Sequence, residues 1–121
     1  MSSVFERIGG AAAVEVAVDV FYKKVLADED LKPFFISVDM KKQRGHMKSF
    51  LTMAFGGPSG YTGRDLRSGH KALVDQGLTD SHFDAVMGHL GDTLQELGVA
   101  DVDIAEIAII GEGTRADVLN K

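Results

Sequence analysis

The stretch KKQRGHMKSFLTMAFGG, residues 41–57, decides the fold class of this chain. Its apolar residues recur every three or four positions, which is the period of one face of an α-helix. Asp39 precedes the stretch and can accept hydrogen bonds at a helix N-terminus, and two glycines end it. Gln43 lies on the apolar face and His46 lies beside it. We therefore predict a helix over residues 40–55 with two polar side chains next to its buried face.

The same helical period continues on both sides of this stretch, and no segment shows the alternation of a β-strand. We therefore predict an all-α protein. The helix over 11–27 carries apolar residues on two sides, Val16 and Val20 among them, and we expect it to be sandwiched between neighbours. The predicted helices are 3–9, 11–27, 40–55, 65–75, 79–97 and a final one that starts with a capping box at Asp103 and Glu106, with a short segment around Pro33 and an irregular loop over 56–63.

Composition excludes several functional classes. The chain has 121 residues, which suits one domain over residues 1–121, and a net charge of −5, which argues against nucleic-acid binding. It has no cysteine, so disulfides, iron–sulfur clusters and thiolate nucleophiles are excluded. The N-terminus shows no secretory signal and no apolar run is long enough for a membrane span. We expect a soluble, cytoplasmic monomer that binds neither nucleic acid nor membrane.

Common metal and nucleotide motifs are also absent. No histidine follows a glutamate by three positions, so the di-iron Glu-x-x-His motif fails. His82 and His89 are two helical turns apart, about 10 Å, which is too far for one metal ion. The segment 107–116 contains G-x-G-x-x-A, but too little chain follows it for a dinucleotide fold. We expect both histidines to be partly exposed structural residues.

The other two histidines lie near apolar stripes on neighbouring predicted helices. His46 flanks the stripe of the 40–55 helix, and His70 lies within that of the 65–75 helix. A single histidine of this kind is commonly a hydrogen-bonded core residue. Two of them also suit a haem, whose iron takes imidazole ligands and whose faces need apolar walls. The residues alone leave both interpretations open. The apolar side chains near them are Phe34, Phe35, Met47, Phe50, Met53, Phe55, Leu66 and Leu73.

Taken in order, several motifs resemble the group I truncated haemoglobins, the short two-over-two globins, and in particular their cyanobacterial and green-algal branch. The resemblance runs almost from end to end. Its motifs are FERIGG (5–10), VFYKKVLAD (20–28), VDMKKQR (38–44), FLTMAFGG (50–57), YTGRDLRSGHKALV (61–74), GLTDSHFDAV (77–86), LQELGV (94–99) and DVLN (117–120). It implies a two-over-two helical sandwich around a haem.

Position by position, the resemblance implies roles for individual residues. His70 matches the proximal ligand of the haem iron, and His46 matches a histidine that can bind the iron from the distal side. Tyr22 and Gln43 match the distal donors to a bound ligand, and Phe35 matches a phenylalanine that wedges against the haem. The remaining expected haem contacts are Phe34, Met47, Phe50, Phe55, Leu66, Leu73 and Phe83. Charge and location, rather than the resemblance, make Lys42 and Arg64 the candidate partners for the propionates.

Two positions depart from the family pattern. Cyanobacterial relatives carry a late histidine that can become joined to a haem vinyl group, whereas GEGTRADVLN (111–120) has none. The resemblance therefore implies haem b held without a covalent bond. Met47 stands where relatives often have glutamine, which leaves Tyr22 and Gln43 as the main distal donors.

The resemblance implies reversible binding of O2, NO and CO, with NO dioxygenase activity if an external reductase supplies electrons. An alternative hypothesis is a haem with two histidine ligands that transfers electrons or signals redox state. A third is a helical interaction domain without haem. The family match favours the first.

Overall fold

The computed structural model describes residues 3–36, 38–58 and 66–120, and for residues 66–69 and 72 it describes the backbone only. The described chain is helical, and no strand occurs within these three ranges. The prediction of an all-α protein is therefore confirmed. None of the helices described here is both long enough and apolar enough to cross a membrane. The elements are α1 (Val4–Ile8), α2 (Gly10–Ala27), a 3-10 helix (Lys32–Phe35), α3 (Met40–Ala54), α4 (Leu66–Asp75), α5 (Asp80–Glu96), α6 (Asp101–Glu112) and α7 (Arg115–Leu119).

The break between α1 and α2 lies where the sequence predicts it. The Ser3 hydroxyl accepts a hydrogen bond from the Glu6 backbone N–H at 3.2 Å, which caps α1. The chain then passes through Gly9 and Gly10 at φ of 115° and 70°, a region that side chains with a Cβ rarely adopt. The two glycines therefore let a five-residue helix end and a long one begin at once in a new direction.

The α2 helix is the centre of the core. One face buries Val14, Ala17, Phe21 and Val25 almost completely, and α2 packs against α1, α3 and α5. The expectation of apolar contacts on both sides was wrong at Val16, whose side chain is 48% exposed. Residues two apart on a helix point in nearly opposite directions, so Val16 faces away from the core that Val14 enters.

Two ion pairs join the exposed edges of α2 and α3. Arg44 lies 2.9 Å from Asp19, and Lys48 lies 2.8 Å from Glu15. The pairs run in opposite directions along the two helices, as expected for an antiparallel packing. Exposed ion pairs contribute little to stability, so they align the two helices more than they hold them together.

The last part of the chain differs from its prediction. The final helix begins at Asp101 rather than at Asp103. Asp103 lies in its first turn and accepts a hydrogen bond from Arg7 at 2.9 Å, so it ties α6 to α1 instead of capping its own helix. The helix is also interrupted at residues 113–114, after which α7 continues for five residues and packs against α4.

Helix α1 meets the segment that follows α3 at Gly57. Phe5 donates its backbone N–H to the Phe55 carbonyl at 2.9 Å, and its ring covers Gly57. A Cβ atom placed on Gly57 would lie 2.6 Å from two ring atoms of Phe5, which is closer than van der Waals contact allows. Gly88 in α5, by contrast, has open space where a Cβ would go.

This contrast predicts opposite effects of the same substitution. Gly57→Ala should destabilise the protein by about 1–3 kcal/mol because the Phe5 ring must move. Gly88→Ala should stabilise it by up to about 1 kcal/mol because alanine favours the helix and meets no atom there. Urea unfolding followed by circular dichroism measures both. Equal effects of the two substitutions would contradict the close packing of α1 on Gly57.

Candidate functional site

A buried polar pair links α2 to α3. Tyr22 lies on α2 with 1% of its surface exposed, and its hydroxyl oxygen accepts a hydrogen bond from Gln43 Nε2 at 3.2 Å. The Tyr22 ring is held edge-on by Phe21 at 5.0 Å and by Phe35 at 6.1 Å between ring centroids. Helical periodicity places Gln43 on the inner face of α3, and the structure brings its amide to the tyrosine.

The surroundings of Tyr22 keep its hydroxyl protonated. Burial raises the pKa of Tyr22 to about 12, because the phenolate would lose its hydration in the core. The hydrogen bond from Gln43 and the charge of Arg44 act in the other direction, and they are smaller effects. Tyr22 is therefore a neutral hydroxyl throughout the physiological pH range, and a neutral hydroxyl can donate a hydrogen bond.

The Tyr22–Gln43 pair has one hydrogen-bond donor without an acceptor among the described residues. With Gln43 donating to the Tyr22 oxygen, the Tyr22 O–H has no acceptor among the residues that the structure describes. If the Gln43 amide were turned over, Tyr22 would donate to it and the amide N–H groups would be left over instead. A buried donor without an acceptor costs roughly 1–3 kcal/mol. In either orientation the pair offers a hydrogen bond to a further acceptor at this position.

Apolar side chains near this pair are only half-covered by the protein. Phe35, Met47 and Phe50 rest against the hydrophobic core on one side and remain partly exposed on the other. Phe34 is also half-buried, with its ring edge-on to that of His82 at 4.9 Å. These residues come from the 3-10 helix and from α3, and they form the kind of wall that a flat apolar ligand needs.

The other expected contacts are placed differently. Phe55 and Phe83 are almost fully buried, at 1% and 6% exposure. Leu73 is half-buried on α4, whereas the side chain of Leu66 and the whole of Arg64 lie outside the described residues. Lys42 is exposed in the first turn of α3, where its backbone N–H donates to Asp39.

The histidines fall into two classes. His46 is exposed on the flank of α3, and His70 is half-buried on α4. The predicted structural histidines are confirmed as such: His82 Nδ1 accepts from the Thr79 backbone N–H at 3.0 Å, and His89 Nε2 lies 2.8 Å from an oxygen of Asp28. His82 and His89 therefore have protein partners of their own.

The helices that carry His46 and His70 are supported separately. The α3 helix packs against α2 and α6, and α4 packs against α7. Helix α3 and helix α4 are not among the pairs in extensive contact within the described residues. His46 and His70 thus lie on two helices that are not in extensive contact with each other within the described residues.

These residues fit a haem. No three histidine or carboxylate side chains converge on one point within the described ranges, so this part of the chain does not make a metal site from its side chains alone. A haem requires only one or two imidazoles, together with apolar walls, because the porphyrin supplies the other four nitrogens. The spare donor of the Tyr22–Gln43 pair adds a polar group suited to a ligand on the iron.

One feature of this region has no signal in the sequence pattern. Arg115 of α7 lies over the Phe83 ring, with 4.4 Å between the guanidinium carbon and the ring centroid. Helical spacing relates Arg115 to Glu112, but nothing in the spacing relates it to α5. Sequence analysis therefore did not single it out.

Comparison with known proteins identifies the family. The family model described as bacterial-like globin matches residues 3–120. A group 1 truncated haemoglobin of Synechocystis sp. is 50% identical over the full length of both chains. One from Tetrahymena thermophila is 46% identical, over 98% of this chain and 96% of its own.

Solved structures agree with the sequence comparison. The two-over-two haemoglobin of Synechococcus sp., solved in the cyanomet state with covalently attached haem, superposes with a TM-score of 0.91. It is 50% identical and covers 99% of this chain and 100% of its own. The truncated haemoglobin of Tetrahymena pyriformis in a tyrosine-to-phenylalanine variant gives a TM-score of 0.87 at 44% identity, covering 99% of this chain and all of its own.

The fold, the buried polar pair and these relatives lead to one conclusion. The chain belongs to the bacterial-like globins and, within them, to the group 1 truncated haemoglobins, which are two-over-two helical proteins that bind diatomic gases through a haem.

Proposed function

We propose that this globin binds O2, NO and CO reversibly, with His70 as the proximal iron ligand and Tyr22 and Gln43 facing the bound gas. The observation that carries the proposal is the spare donor of the buried Tyr22–Gln43 pair. A haem supplies the iron at which a diatomic gas binds. The half-buried Phe35, Met47 and Phe50 side chains suit its apolar faces, and the exposed Lys42 suits a propionate at its edge.

The chain's own contribution is to select among gases by hydrogen bonding. Tyr22 is rigid because Phe21 and Phe35 hold its ring, and neutral because burial raises its pKa to about 12. A fixed neutral donor stabilises a ligand with a partly negative outer atom and does little for an apolar one. Each such hydrogen bond contributes about 1 kcal/mol, and more toward a charged acceptor. The pair should therefore slow the release of O2 more than that of CO.

Replacing Tyr22 tests this role. Tyr22→Phe should raise the O2 dissociation rate constant on the order of tenfold, because one strong donor is lost, and should change CO dissociation much less. Stopped-flow displacement of O2 by CO measures the rate. Thr52→Val is the matched control, since it removes an α3 hydroxyl that donates to the Lys48 carbonyl. Equal O2 release from the Tyr22→Phe variant and the unchanged protein would refute the donor role.

We further propose that the protein oxidises NO. The overall reaction joins NO and O2, takes up one electron and yields nitrate, so sustained turnover needs a reductase outside this chain. The protein's contribution is to hold O2 long enough for NO to reach it, which is what the Tyr22–Gln43 pair supports. We propose haem b held without a covalent bond. Helices α6 and α7 contain no histidine that could form one.

The NO reaction can be measured directly. Mixing the O2-loaded protein with an equimolar amount of NO should give the ferric spectrum within milliseconds and one nitrate per haem. Tyr22→Phe should give less nitrate, because O2 escapes before NO arrives. Slow conversion, or nitrite instead of nitrate, would remove NO oxidation from the proposal and leave gas binding in place.

His46 supports a second candidate function. It lies on the flank of α3, exposed and one turn from both Gln43 and Phe50, so a modest roll of α3 would carry its ring toward the gas-binding side. A distal histidine on the iron would favour electron transfer or redox signalling over gas binding. We propose that His46 binds the iron in the resting protein and gives way to a gas.

Absorption spectra decide whether His46 is a ligand. The dithionite-reduced protein should show sharp, split visible bands, and His46→Leu should convert them to one broad band and speed CO binding. His89→Leu is the control, because His89 is engaged by Asp28. A broad band in the unchanged protein would place His46 in the pocket wall and leave the electron-transfer candidate without support.

A further inference from the structure

Arg115 is far in sequence from the Tyr22–Gln43 pair, and its side chain connects three helices. Its Nε donates to Glu112 of α6 at 2.8 Å, and its Nη1 donates to Asp80 of α5 at 2.9 Å. Its Nη2 donates to Asp84 of α5 and to Glu112. The plane of the guanidinium covers the Phe83 ring at 4.4 Å. One side chain thus makes charged contacts with two helices and an aromatic contact with one of them.

The helix that begins with Arg115 cannot hold its own position. Helix α7 has only five residues, and helices this short are not stable alone in water. Thr114 precedes it without making a side-chain cap, because its hydroxyl donates back to the Gly111 carbonyl at 2.6 Å. The contacts of Arg115 with α5 and α6 are therefore a principal restraint on where α7 begins.

Helix α7 in turn supports the helix that carries His70. Its contact with α4 is the most extensive of any between two helices in the described part of the chain, and Leu119 is buried in this region at 4% exposure. A shift of α7 would therefore move α4, and His70 with it.

We infer that Arg115 is a positioning residue for His70, acting through α7 and α4. The inference rests on the proposed role of His70 as the proximal ligand. The proposed role of Arg115 involves no contact with the haem itself. It sets the angle and distance at which the His70 imidazole is presented, and thereby the strength of the iron–imidazole bond and the retention of haem.

The geometry requires arginine rather than any cation. Its carboxylate partners are about half exposed or more, at 49%, 63% and 58% of side-chain surface for Asp80, Asp84 and Glu112, so single pairs contribute little. The planar fork bonds all three at once while its face stacks on Phe83, which a lysine ammonium cannot do. The Arg115 side chain is mostly covered, at 24% exposure.

Two variants and a control test the inference. Arg115→Met keeps an apolar stem over Phe83 and removes the fork, and Arg115→Lys keeps the charge alone. Arg7→Met is the control, because it removes an exposed arginine that pairs with Asp103 at the opposite end of α6. Three measurements apply: the rate of hemin transfer to excess apomyoglobin, the iron–histidine stretching band after photolysis of the CO form, and backbone hydrogen exchange across residues 66–75.

Arg115→Met should speed hemin transfer on the order of tenfold, the effect of losing charge-assisted hydrogen bonds, should shift the iron–histidine band and should raise exchange in 66–75. Arg115→Lys should restore little of the original hemin transfer rate, band position or exchange of residues 66–75. Arg7→Met should leave the band unchanged.

The failures are distinguishable. If the unchanged protein shows no haem band or no iron–histidine stretch, the proposed function fails. If it shows both and Arg115→Met leaves the band and the exchange of 66–75 unchanged, the positioning role of Arg115 is wrong. If Arg115→Met unfolds, the milder Arg115→Lys decides: a band identical to that of the unchanged protein overturns the inference, and a shifted band supports it.

Discussion

The hydrogen bond from Gln43 to Tyr22 is the interaction around which the functional side of this globin is organised. It places a hydroxyl inside the core, where burial would be costly without a partner. Because Tyr22 lies in the middle of α2 and Gln43 on the inner face of α3, the bond also fixes how the two helices face each other. Met47 and Phe50 lie half-buried on the same helix as Gln43, and under the proposed function they form part of the wall against the haem.

The hydroxyl of Tyr22 is carried by a helix whose inner face is buried in the core. A rigid donor requires a rigid support, and the α2 face around Tyr22 is almost completely covered. The ion pairs of Asp19 with Arg44 and of Glu15 with Lys48 lie outside this core and align the helices without adding a buried charge. Apolar packing therefore stabilises the contact between α2 and α3, and the polar groups set how the two helices are aligned.

Much of this fold could be predicted from the sequence, because it depends on local patterns. The helical period and the glycine pairs located α1 to α5 within a residue or two, since such signals act over one or two turns. The errors lie where distant residues decide. Asp103 looked like a helix cap but pairs with Arg7, and Arg115, which begins α7 after the break, pairs with Asp80 and Asp84, more than thirty positions away.

The site shows the same division. Periodicity placed Gln43 and His70 on inner faces, but only family resemblance singled out Tyr22, because a tyrosine on a buried stripe looks like any other core residue. What distinguishes it is the contact with Gln43, a relation between two helices. The exposure of Val16 was missed for a related reason, since apolar character alone does not say which side of a helix meets a neighbour.

Under the proposed roles of Tyr22 and His70, the two sides of the haem would be held by different forces. The proposed distal pair is neutral and buried, and because burial raises the pKa of Tyr22 to about 12, salt and physiological changes of pH should leave it intact. The proposed restraint on His70 runs through α7 to a cation among three partly exposed carboxylates, and salt screens such contacts. If His70 binds the iron and Arg115 positions it, as proposed, ionic strength should act on that bond while the hydrogen bonds of the Tyr22–Gln43 pair stay constant. The proposed proximal and distal contacts would then respond to salt independently of each other.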